Sequence, residues 1–252
     1  MLRGLYTAVS GLITQQAKQD VVTNNIANVN TIGYKSDKIA VESFKEVLIQ
    51  NYDGSSAGGK RQELGGLSFG SRIDETLTSH AQGIIEDTGK DKDFAIVGRG
   101  FFTVTRNGNN FYSRDGSFHV DNQGYLVNSS GDRVLGINNS TNETTPIYVG
   151  NGNIVLNNNN IYIDSNLSYS FHTVDFDSYD NLEKVGDNLY TGQGSFVANC
   201  NIKQNALEKS NVNVVNEMLE MMTVMRNFES NQKVVQIIDE TLDKAANEVG
   251  RI

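Results

Sequence analysis

VVNEMLEMMTVMRNFESNQKVVQIIDETLDKAANEV, residues 214–249, is the stretch that decides the fold class of this chain. Its apolar residues recur at alternating steps of four and three, which is typical of a helix with one apolar seam. Asn213 stands directly before it as a candidate N-cap. The pattern therefore predicts a long C-terminal helix whose seam packs against other helices. Its apolar positions are Val214, Met218, Met221, Met225, Phe228, Val235, Leu242, Ala246 and Val249.

A second helix is predicted at the other end of the chain, over residues 3–29. Leu2, Leu5, Val9 and Leu12 recur at steps of three, four and three, and Ile26 rejoins that stripe after a polar stretch. Gly33 is expected to end the helical pattern. The two terminal helices both need an apolar partner, so the simplest arrangement is that they pair with each other.

The middle of the chain is predicted to be β-structure. Short apolar runs at 94–97 and 101–104 are followed by turn dipeptides such as Asn107-Gly108 and Ser130-Gly131, and a second β-rich stretch covers 147–176. Residues 53–66 are rich in glycine and are interpreted as a flexible linker or loop.

The predicted fold class is therefore α+β, with long N- and C-terminal helices that pair as a coiled-coil-like layer around an inserted all-β middle region. We expect three segments. A discontinuous helical assembly domain comprises 1–35 and 203–252, a β-rich connecting region comprises 36–91 and 190–202, and the inserted β domain comprises 92–189.

Composition excludes several classes of protein. The formal net charge is −9, and residues 36–202 carry that excess of acid, so nucleic acid is not expected as a partner. No apolar run is long enough for a membrane span, and no cleavable signal peptide is expected at the N-terminus. Cys200 is the single cysteine, so an intrachain disulfide is impossible.

The C-terminal helix also carries a second apolar face, which includes Val215, Leu219, Met222, Val234 and Ile237. One helix pair cannot cover two faces, so we expect the ends to be weakly ordered in a single chain and to order when copies assemble. The alternative interpretation is an ordinary two-helix core inside one globular protein.

Three groups of motifs resemble the flagellar rod and hook protein family. The family's rod signature, Asn-Asn-Ile-Ala-Asn followed by Thr-x-Gly-Tyr/Phe-Lys, is matched by residues 24–35, and Leu5 to Ala8 resembles the family's opening. The centre and the C-terminal end match in the right order. Those matching stretches are Phe94–Val104, Tyr112–Phe118, Gly124–Val127, Leu207–Val215 and Met225–Lys233.

The resemblance implies a structural subunit that is exported through the flagellar type III apparatus and stacks helically into the drive shaft of the basal body, in the cell envelope. Its partners would be copies of itself and neighbouring rod and hook proteins. Length and the Tyr112–Phe118 motif are most similar to distal rod subunits, with proximal rod subunits as the alternative. The implied assembly motif comprises Asn24, Asn25, Ile26, Ala27, Asn28, Thr31, Gly33, Tyr34 and Lys35.

No residue is expected to be catalytic, to bind a cofactor or to ligate a metal. Gly66-Leu-Ser-Phe-Gly70 matches the hydrolase pattern Gly-x-Ser-x-Gly, but a strand is expected after it where a nucleophile elbow needs a helix. His80, His119 and His172 lack metal-ligand spacing. An exported β-rich surface adhesin or binding module is the second functional hypothesis, and an enzyme is the third.

Overall fold

The structure is a computed structural model that describes residues 2–52, 61–150, 152–157, 159–164, 166–198 and 200–249. Two long helices flank a middle region of short strands. In chain order the elements are α1 Leu2–Ala27, β1 Asp37–Ser43, β2 Val47–Tyr52, β3 Arg61–Leu67, β4 Ser71–Thr78, β5 Ile85–Asp87, β6 Phe94–Val97, β7 Phe101–Arg106, β8 Asn109–Ser113, β9 His119–Val120, β10 Leu126–Val127, β11 Arg133–Asn138, β12 Thr144–Pro146, β13 Ile154–Asn157, β14 Asn160–Ile163, β15 Asn166–Phe171, β16 Thr173–Phe176, β17 Glu183–Gly186, β18 Leu189–Thr191, β19 Ser195–Val197, β20 Asn201–Gln204, β21 Ala206–Glu208 and α2 Val214–Lys244.

This element order confirms the α+β class with a helix at each end and a large β middle region. α1 begins and ends within two residues of the predicted bounds, and α2 begins directly after Asn213. A 3-10 turn at Tyr179–Asn181 and a π-helical turn at Ala245–Val249 complete the described elements.

The chain forms two compact units that divide it at other positions than the three predicted segments. The first unit comprises Met1–Ile26, Asp37–Thr78 and Val214–Ile252. The second unit comprises Ala27–Ser36 and Ser79–Asn213. The predicted three-segment division stays a prediction.

In the first unit, α1 and α2 contact each other, and residues later in α1 contact residues earlier in α2. A Cβ added at Gly4 would lie 3.7 Å from Ile238 Cδ1, and one added at Gly11 would lie 2.9 Å from Asn231 Nδ2. At the other end of α1, Asn25 Nδ2 donates a hydrogen bond of 3.3 Å to a Glu217 carboxylate oxygen. The two helices are thus antiparallel neighbours, and glycine at 11 allows their close approach.

A two-stranded ribbon completes the first unit. Strand β1 pairs antiparallel with β4, and β2 pairs antiparallel with β3. The turn between β3 and β4 contacts α1, because Ser71 N donates to Ser10 Oγ over 3.3 Å and Thr7 Oγ1 donates to the Phe69 carbonyl over 3.1 Å.

The inward face of α1 differs from the predicted stripe. Ala8, Thr14, Val22 and Asn25 are buried, whereas Val9 is exposed. The physical reason is the polar turn that α1 contacts, which favours small and hydroxyl-bearing residues such as Thr14, whose Oγ1 lies 3.3 Å from Ser71 Oγ.

Part of the predicted linker is also a strand. Residues 61–66 belong to β3, which extends to Leu67, so the loop predicted directly before Ser68 is wrong. The strand predicted after Gly70 is confirmed as β4. Residues 53–60 of the predicted linker lie outside the described residues.

The second unit contains an antiparallel sheet with the main strand order β13-β14-β15-β11-β7-β8-β18-β17. Asn107 and Gly108 join β7 to β8 with φ of 53° and 82°, the left-handed geometry that a tight hairpin turn requires and that the Asn-Gly dipeptide predicted. The main core cluster lies on this sheet and includes Phe94, Phe102, Leu126, Ile147 and Ile161.

Apolar burial is divided very unequally between the two units. Of the 28 buried apolar residues among those described, only Ala8, Val22 and Val224 belong to the first unit. Of the 26 large apolar residues that are exposed, 18 belong to the first unit. The second unit therefore has a core of its own, and the first leaves most of its large apolar side chains in contact with water.

Candidate functional site

The predicted assembly motif, residues 24–35, leaves the end of α1 and contributes to both units. Asn25 lies in the first unit, and the segment Gly33–Ser36 lies in the second. Asn25, Gly33, Tyr34, Lys35 and Ser36 are all buried, which is unusual for a stretch of connecting chain. The site is described in two parts, Asn25 with its contacts in the first unit and Gly33–Ser36 with their contacts in the second.

In the first unit, Asn25 binds the backbone of Asp37 with both ends of its side-chain amide. Its Nδ2 donates to the Asp37 carbonyl over 2.9 Å, and its Oδ1 accepts from Asp37 N over 3.0 Å. This pair of bonds satisfies the backbone at the start of β1. Burial raises the pKa of Glu217, which accepts from the same amide.

Gly33 occupies a backbone conformation that side chains disfavour. Its φ is +68°, its N–H donates to the Glu208 carbonyl over 2.8 Å, and an added Cβ would lie 2.6 Å from the Arg114 carbonyl carbon. Gly33 was predicted to end the helical pattern, but α1 already ends at Ala27. The glycine is needed instead for close approach to the Arg114 backbone.

Lys35 is the most deeply buried charge of the motif. Its Nζ donates to Glu208 Oε1 over 2.6 Å and to the Ala81 carbonyl over 2.8 Å, and both charged side chains are 0% exposed. Burial lowers the pKa of Lys35, and the Glu208 carboxylate opposes that shift. The ammonium group is bonded to two fixed partners and is shielded from solvent.

Glu208 is the centre of this charge cluster. Its Oε2 accepts from Arg114 Nη1 over 3.1 Å, and its Oε1 also accepts from Gly83 N over 2.8 Å. The Arg114 guanidinium lies 5.1 Å from the centre of the Phe101 ring, a cation–π distance. One carboxylate therefore balances two buried cations, Lys35 and Arg114.

Side chains from two further segments hold the flanks of Lys35. Asn211 Oδ1 accepts from Ser36 N over 2.8 Å, and Asn188 Nδ2 donates to the Ile32 carbonyl over 2.9 Å. Lys184 Nζ lies 4.1 Å from the centre of the Tyr34 ring. The segment 32–36 is thus bonded to three distant parts of the second unit, around residues 81, 188 and 208–211.

The cluster joins the three groups of motifs found in the sequence. Lys35 comes from the first, Arg114 from the second, and Glu208 and Asn211 from the third. Sequence reasoning quoted these last three residues without a role for them. The available signal was that Glu208 directly follows the apolar pair Ala206-Leu207 in one strand. A charged residue in such a strand is buried only when it has a partner of opposite charge, so Glu208 could have been predicted to form an ion pair.

The other motif residues are less buried. Asn24 and Ala27 are exposed, Ile26 is half-buried, and the half-buried Asn28 accepts a bond of 3.1 Å from Thr31 Oγ1. Their role in assembly stays a prediction.

Of the seven seam positions from Val214 to Leu242, five are half-buried and two are exposed. Val214, Met221, Phe228, Val235 and Leu242 are half-buried, but Met218 and Met225 are exposed. Glu217 and Val224, one residue earlier, are buried in their place. The seam as a contact between subunits stays a prediction, and the exposed methionines remain accessible for it.

Two further findings bear on chemistry. Among the described residues, no group of three or more His, Cys, Asp or Glu side chains is placed to hold a metal ion. Within the same part of the chain, neither helix is long and apolar enough to cross a membrane. The candidate site offers closed ion pairs and backbone hydrogen bonds, so its geometry is that of a structural junction.

Comparison with known proteins gives three family matches in chain order. Residues 5–35 match the family described as "Flagella basal body rod protein", and residues 95–173 match "Flagellar hook protein FlgE/F/G D1 domain". Residues 203–248 match "Flagellar basal body rod FlgEFG protein C-terminal". The first and last of these cover most of both terminal helices.

Curated relatives extend the similarity over the whole chain. The flagellar basal-body rod protein FlgG of Bacillus subtilis is 33% identical over 98% of this chain and 99% of its own length. FlhO, a flagellar hook-basal body complex protein of the same organism, is 31% identical over 100% of both chains. The hook protein FlgE of Borreliella burgdorferi is 40% identical, over 54% of this chain and 31% of its own length.

The three matches, in chain order along an α+β protein, define the class as a structural component of the flagellum. With the full-length similarity, the particular family follows: the chain belongs to the flagellar rod and hook protein family.

Proposed function

We propose that this chain is a structural subunit of the bacterial flagellar basal-body rod, which polymerises helically into the drive shaft that transmits torque from motor to hook. The observation that carries the proposal is the full-length similarity to proteins named flagellar basal-body rod protein. The hook protein similarity covers only about half of the chain, which favours rod over hook.

The distribution of apolar surface supports a role in assembly. Among its described residues, the first unit, which holds both terminal helices, leaves 18 large apolar side chains exposed and buries three apolar residues. Exposed apolar surface of this extent marks a contact with other proteins. A two-stranded ribbon such as β1–β4 also needs packing partners to be stable in water. Neighbouring copies would cover both the exposed apolar side chains and the ribbon.

In the assembled rod, the terminal helices form a coiled-coil-like layer, and the seam Val214–Leu242 takes part in contacts between subunits. The antiparallel contacts between α1 and α2 support this layer, because they leave Met218 and Met225 accessible. Residues 24–35 fix the start of β1 and the segment before it, so they hold the contact surfaces in place. Helical polymers need two different surfaces on each subunit.

The proposed partners are copies of this chain, neighbouring rod and hook proteins, and the flagellar type III export apparatus. The proposed location is the basal body in the cell envelope. Distal position in the rod is favoured by the similarity to FlgG, with proximal position as the alternative. No catalytic step is proposed, because the buried charges of the site are all engaged by fixed partners.

Deletion of the gene, followed by electron microscopy of isolated basal bodies, tests the proposal. A distal rod subunit is required before the hook can be added, so the deleted strain should carry short rods without hooks. Reintroduction of the unaltered gene should restore full rods. Intact hooks in the deleted strain would contradict the proposal.

A further inference from the structure

The turn between β7 and β8 consists of an asparagine followed by a glycine, Asn107 and Gly108, and both residues are exposed. Their φ angles of 53° and 82° are those of a two-residue turn with left-handed backbone. Among the described residues, an added Cβ at Gly108 would meet nothing within 4 Å. The surroundings therefore leave this turn room to change its conformation.

The backbone N–H of Gly108 lies beside the side-chain amide of Asn107 in the sequence. The last pair of the ladder before the turn is Arg106 and Asn109. In a two-residue hairpin, the bond that closes the turn joins these flanking residues, so it does not use the Gly108 N–H. Because glycine has no Cβ, its backbone nitrogen can approach the preceding side chain more closely than that of any other residue.

We propose that Asn107 is a site of spontaneous covalent modification, at which the side-chain amide is hydrolysed through a cyclic imide. The backbone nitrogen of Gly108 loses its proton to hydroxide and attacks Asn107 Cγ. A bond between this nitrogen and Cγ forms and the bond between Cγ and Nδ2 breaks. Ammonia leaves after taking a proton from water, which regenerates the hydroxide, and a second water then opens the ring.

The ring opens at either of its two carbonyl carbons. Cleavage between the nitrogen and Cγ produces an aspartate with an unchanged main chain. Cleavage between the nitrogen and the main-chain carbonyl carbon of residue 107 produces an isoaspartate, whose main chain runs through Cβ and Cγ and is one carbon longer. A two-residue turn fits its flanking strands only at its ordinary length, so isoaspartate should disturb the pair Arg106 and Asn109.

Arg106 connects this turn to two other parts of the second unit. Its Nε donates to Asp132 Oδ1 over 2.6 Å, and its Nη2 donates to Asp187 Oδ2 over 3.2 Å. A longer main chain at the next residue should displace Arg106 and weaken both ion pairs. The modification should therefore lower the stability of the second unit, and isoaspartate should lower it more than aspartate does.

Asn128 of the same unit shows which contacts protect such a side chain. It precedes Ser129 and is 3% exposed. Its Nδ2 donates to Asp132 Oδ2 over 3.0 Å, and its Oδ1 accepts from Ser130 N over 3.0 Å and from Asp132 N over 2.8 Å. These bonds hold Cγ in place, so Asn128 is the internal control. The other Asn-Gly pair of the sequence begins at residue 151, outside the described residues.

Mass spectrometry of the full-length chain after ageing in mildly alkaline buffer tests the proposal. Trypsin releases Asn107 in the peptide 107–114 and Asn128 in the peptide 115–133, and fragmentation of each peptide locates the converted residue. Enzymatic methylation of its carboxylate identifies isoaspartate. Asn107→Gly is the matched variant, because glycine keeps the left-handed turn and has no side-chain amide to lose.

We expect Asn107 to be converted roughly tenfold faster than Asn128, because an exposed turn reaches the reactive geometry at little cost in free energy. The rate at Asn107 should rise in proportion to the hydroxide concentration. The aged chain should show a lower Tm than the fresh chain, whereas ageing should leave the Tm of Asn107→Gly unchanged.

Conversion of Asn107 no faster than that of Asn128 would overturn the assignment of the site, and a rate that does not change with pH would overturn the mechanism. Both comparisons use the unaltered chain, so they hold even where the variant folds poorly. An equal loss of Tm in the aged unaltered chain and in aged Asn107→Gly would overturn the effect on stability.

Discussion

Lys35 and Glu208 are 173 positions apart in the sequence, yet their side chains form a fully buried ion pair of 2.6 Å. Arg114 contacts the same carboxylate, so one acidic residue joins the motifs of the N-terminal, central and C-terminal parts of the chain. The second unit can complete this cluster only when strand β21 is in place.

Removing the carboxylate should be far more harmful than removing one cation. Glu208→Gln would leave Lys35 and Arg114 buried without a counter-charge, at a cost of about 3–5 kcal/mol in the free energy of unfolding. Lys35→Met should cost less, because Arg114 still balances Glu208. Urea unfolding of the β-rich second unit, followed by circular dichroism, measures both.

The control is Asp87→Asn, which breaks the exposed ion pair between Asp87 and Lys203, whose side chains are 71% and 50% exposed. That change should cost at most about 1 kcal/mol. Equal effects of Glu208→Gln and Asp87→Asn would show that the buried cluster stabilises the fold no more than an exposed ion pair does.

Gly33→Ala should destabilise the second unit through both its backbone and its surroundings. The φ of +68° is unfavourable for alanine by roughly 1–2 kcal/mol, and the Cβ would also lie 2.6 Å from the Arg114 backbone. Gly131→Ala is the matched control, because its φ is +85° and an added Cβ would meet nothing within 4 Å. Thermal unfolding should therefore show a larger drop in Tm for Gly33→Ala than for Gly131→Ala.

The stability of the second unit should fall as pH rises through about 6, because Asp115 then loses a proton. Burial raises the pKa of Asp115 from 3.8 to about 6, and the nearby charge of Asp93 adds to the shift. The folded chain then holds a proton that the unfolded chain releases, so the stabilising contribution is complete below pH 3.8 and is lost as pH rises through about 6.

Asp115→Asn removes this titration while keeping an oxygen that can accept from Ser117 N. The stability of the variant relative to the unaltered chain should rise by up to about 3 kcal/mol between about pH 4 and pH 7. Urea unfolding at several pH values measures the difference. A difference that stays constant with pH would contradict the raised pKa.

Asn25→Ala should expose the backbone at the start of β1 to exchange with water. The Asp37 N–H would lose its bond of 3.0 Å to Asn25 Oδ1, and hydrogen exchange at Asp37 should accelerate at least tenfold, the change that about 1.4 kcal/mol of lost protection produces. Asn24→Ala, at the exposed neighbouring position, is the control. Unchanged exchange at Asp37 would show that the amide is not what protects it.

A charge at the exposed Met222 of α2 should block polymerisation without unfolding the β core. Met222→Asp puts a desolvation penalty of several kcal/mol into any apolar contact that buries it, so sedimenting polymer should be lost. Met222→Leu should polymerise normally. Val155→Asp, at a similarly exposed apolar position of the second unit, should also leave polymerisation unchanged. Sedimentation and circular dichroism together separate loss of assembly from loss of folding.

Local patterns predicted much of this molecule. The bounds of both helices follow from apolar periodicity and a cap residue, which act within a few turns, and the hairpin at Asn107-Gly108 follows from the conformations open to those two residues. Resemblance of the motifs led to the family, and the full-length relatives agree.

The sequence by itself determined which segments are helices, that the middle is β-structure and that the ends carry more apolar surface than one helix pair can cover. The tertiary structure decided which face of α2 points towards α1, because the bond between Asn25 and Glu217 turns Glu217 inward and leaves Met218 exposed. It also decided that Lys35, Arg114 and Glu208 meet. Spacing along the chain says which residues share a face, but the energy of a buried charge depends on partners that only folding brings within reach.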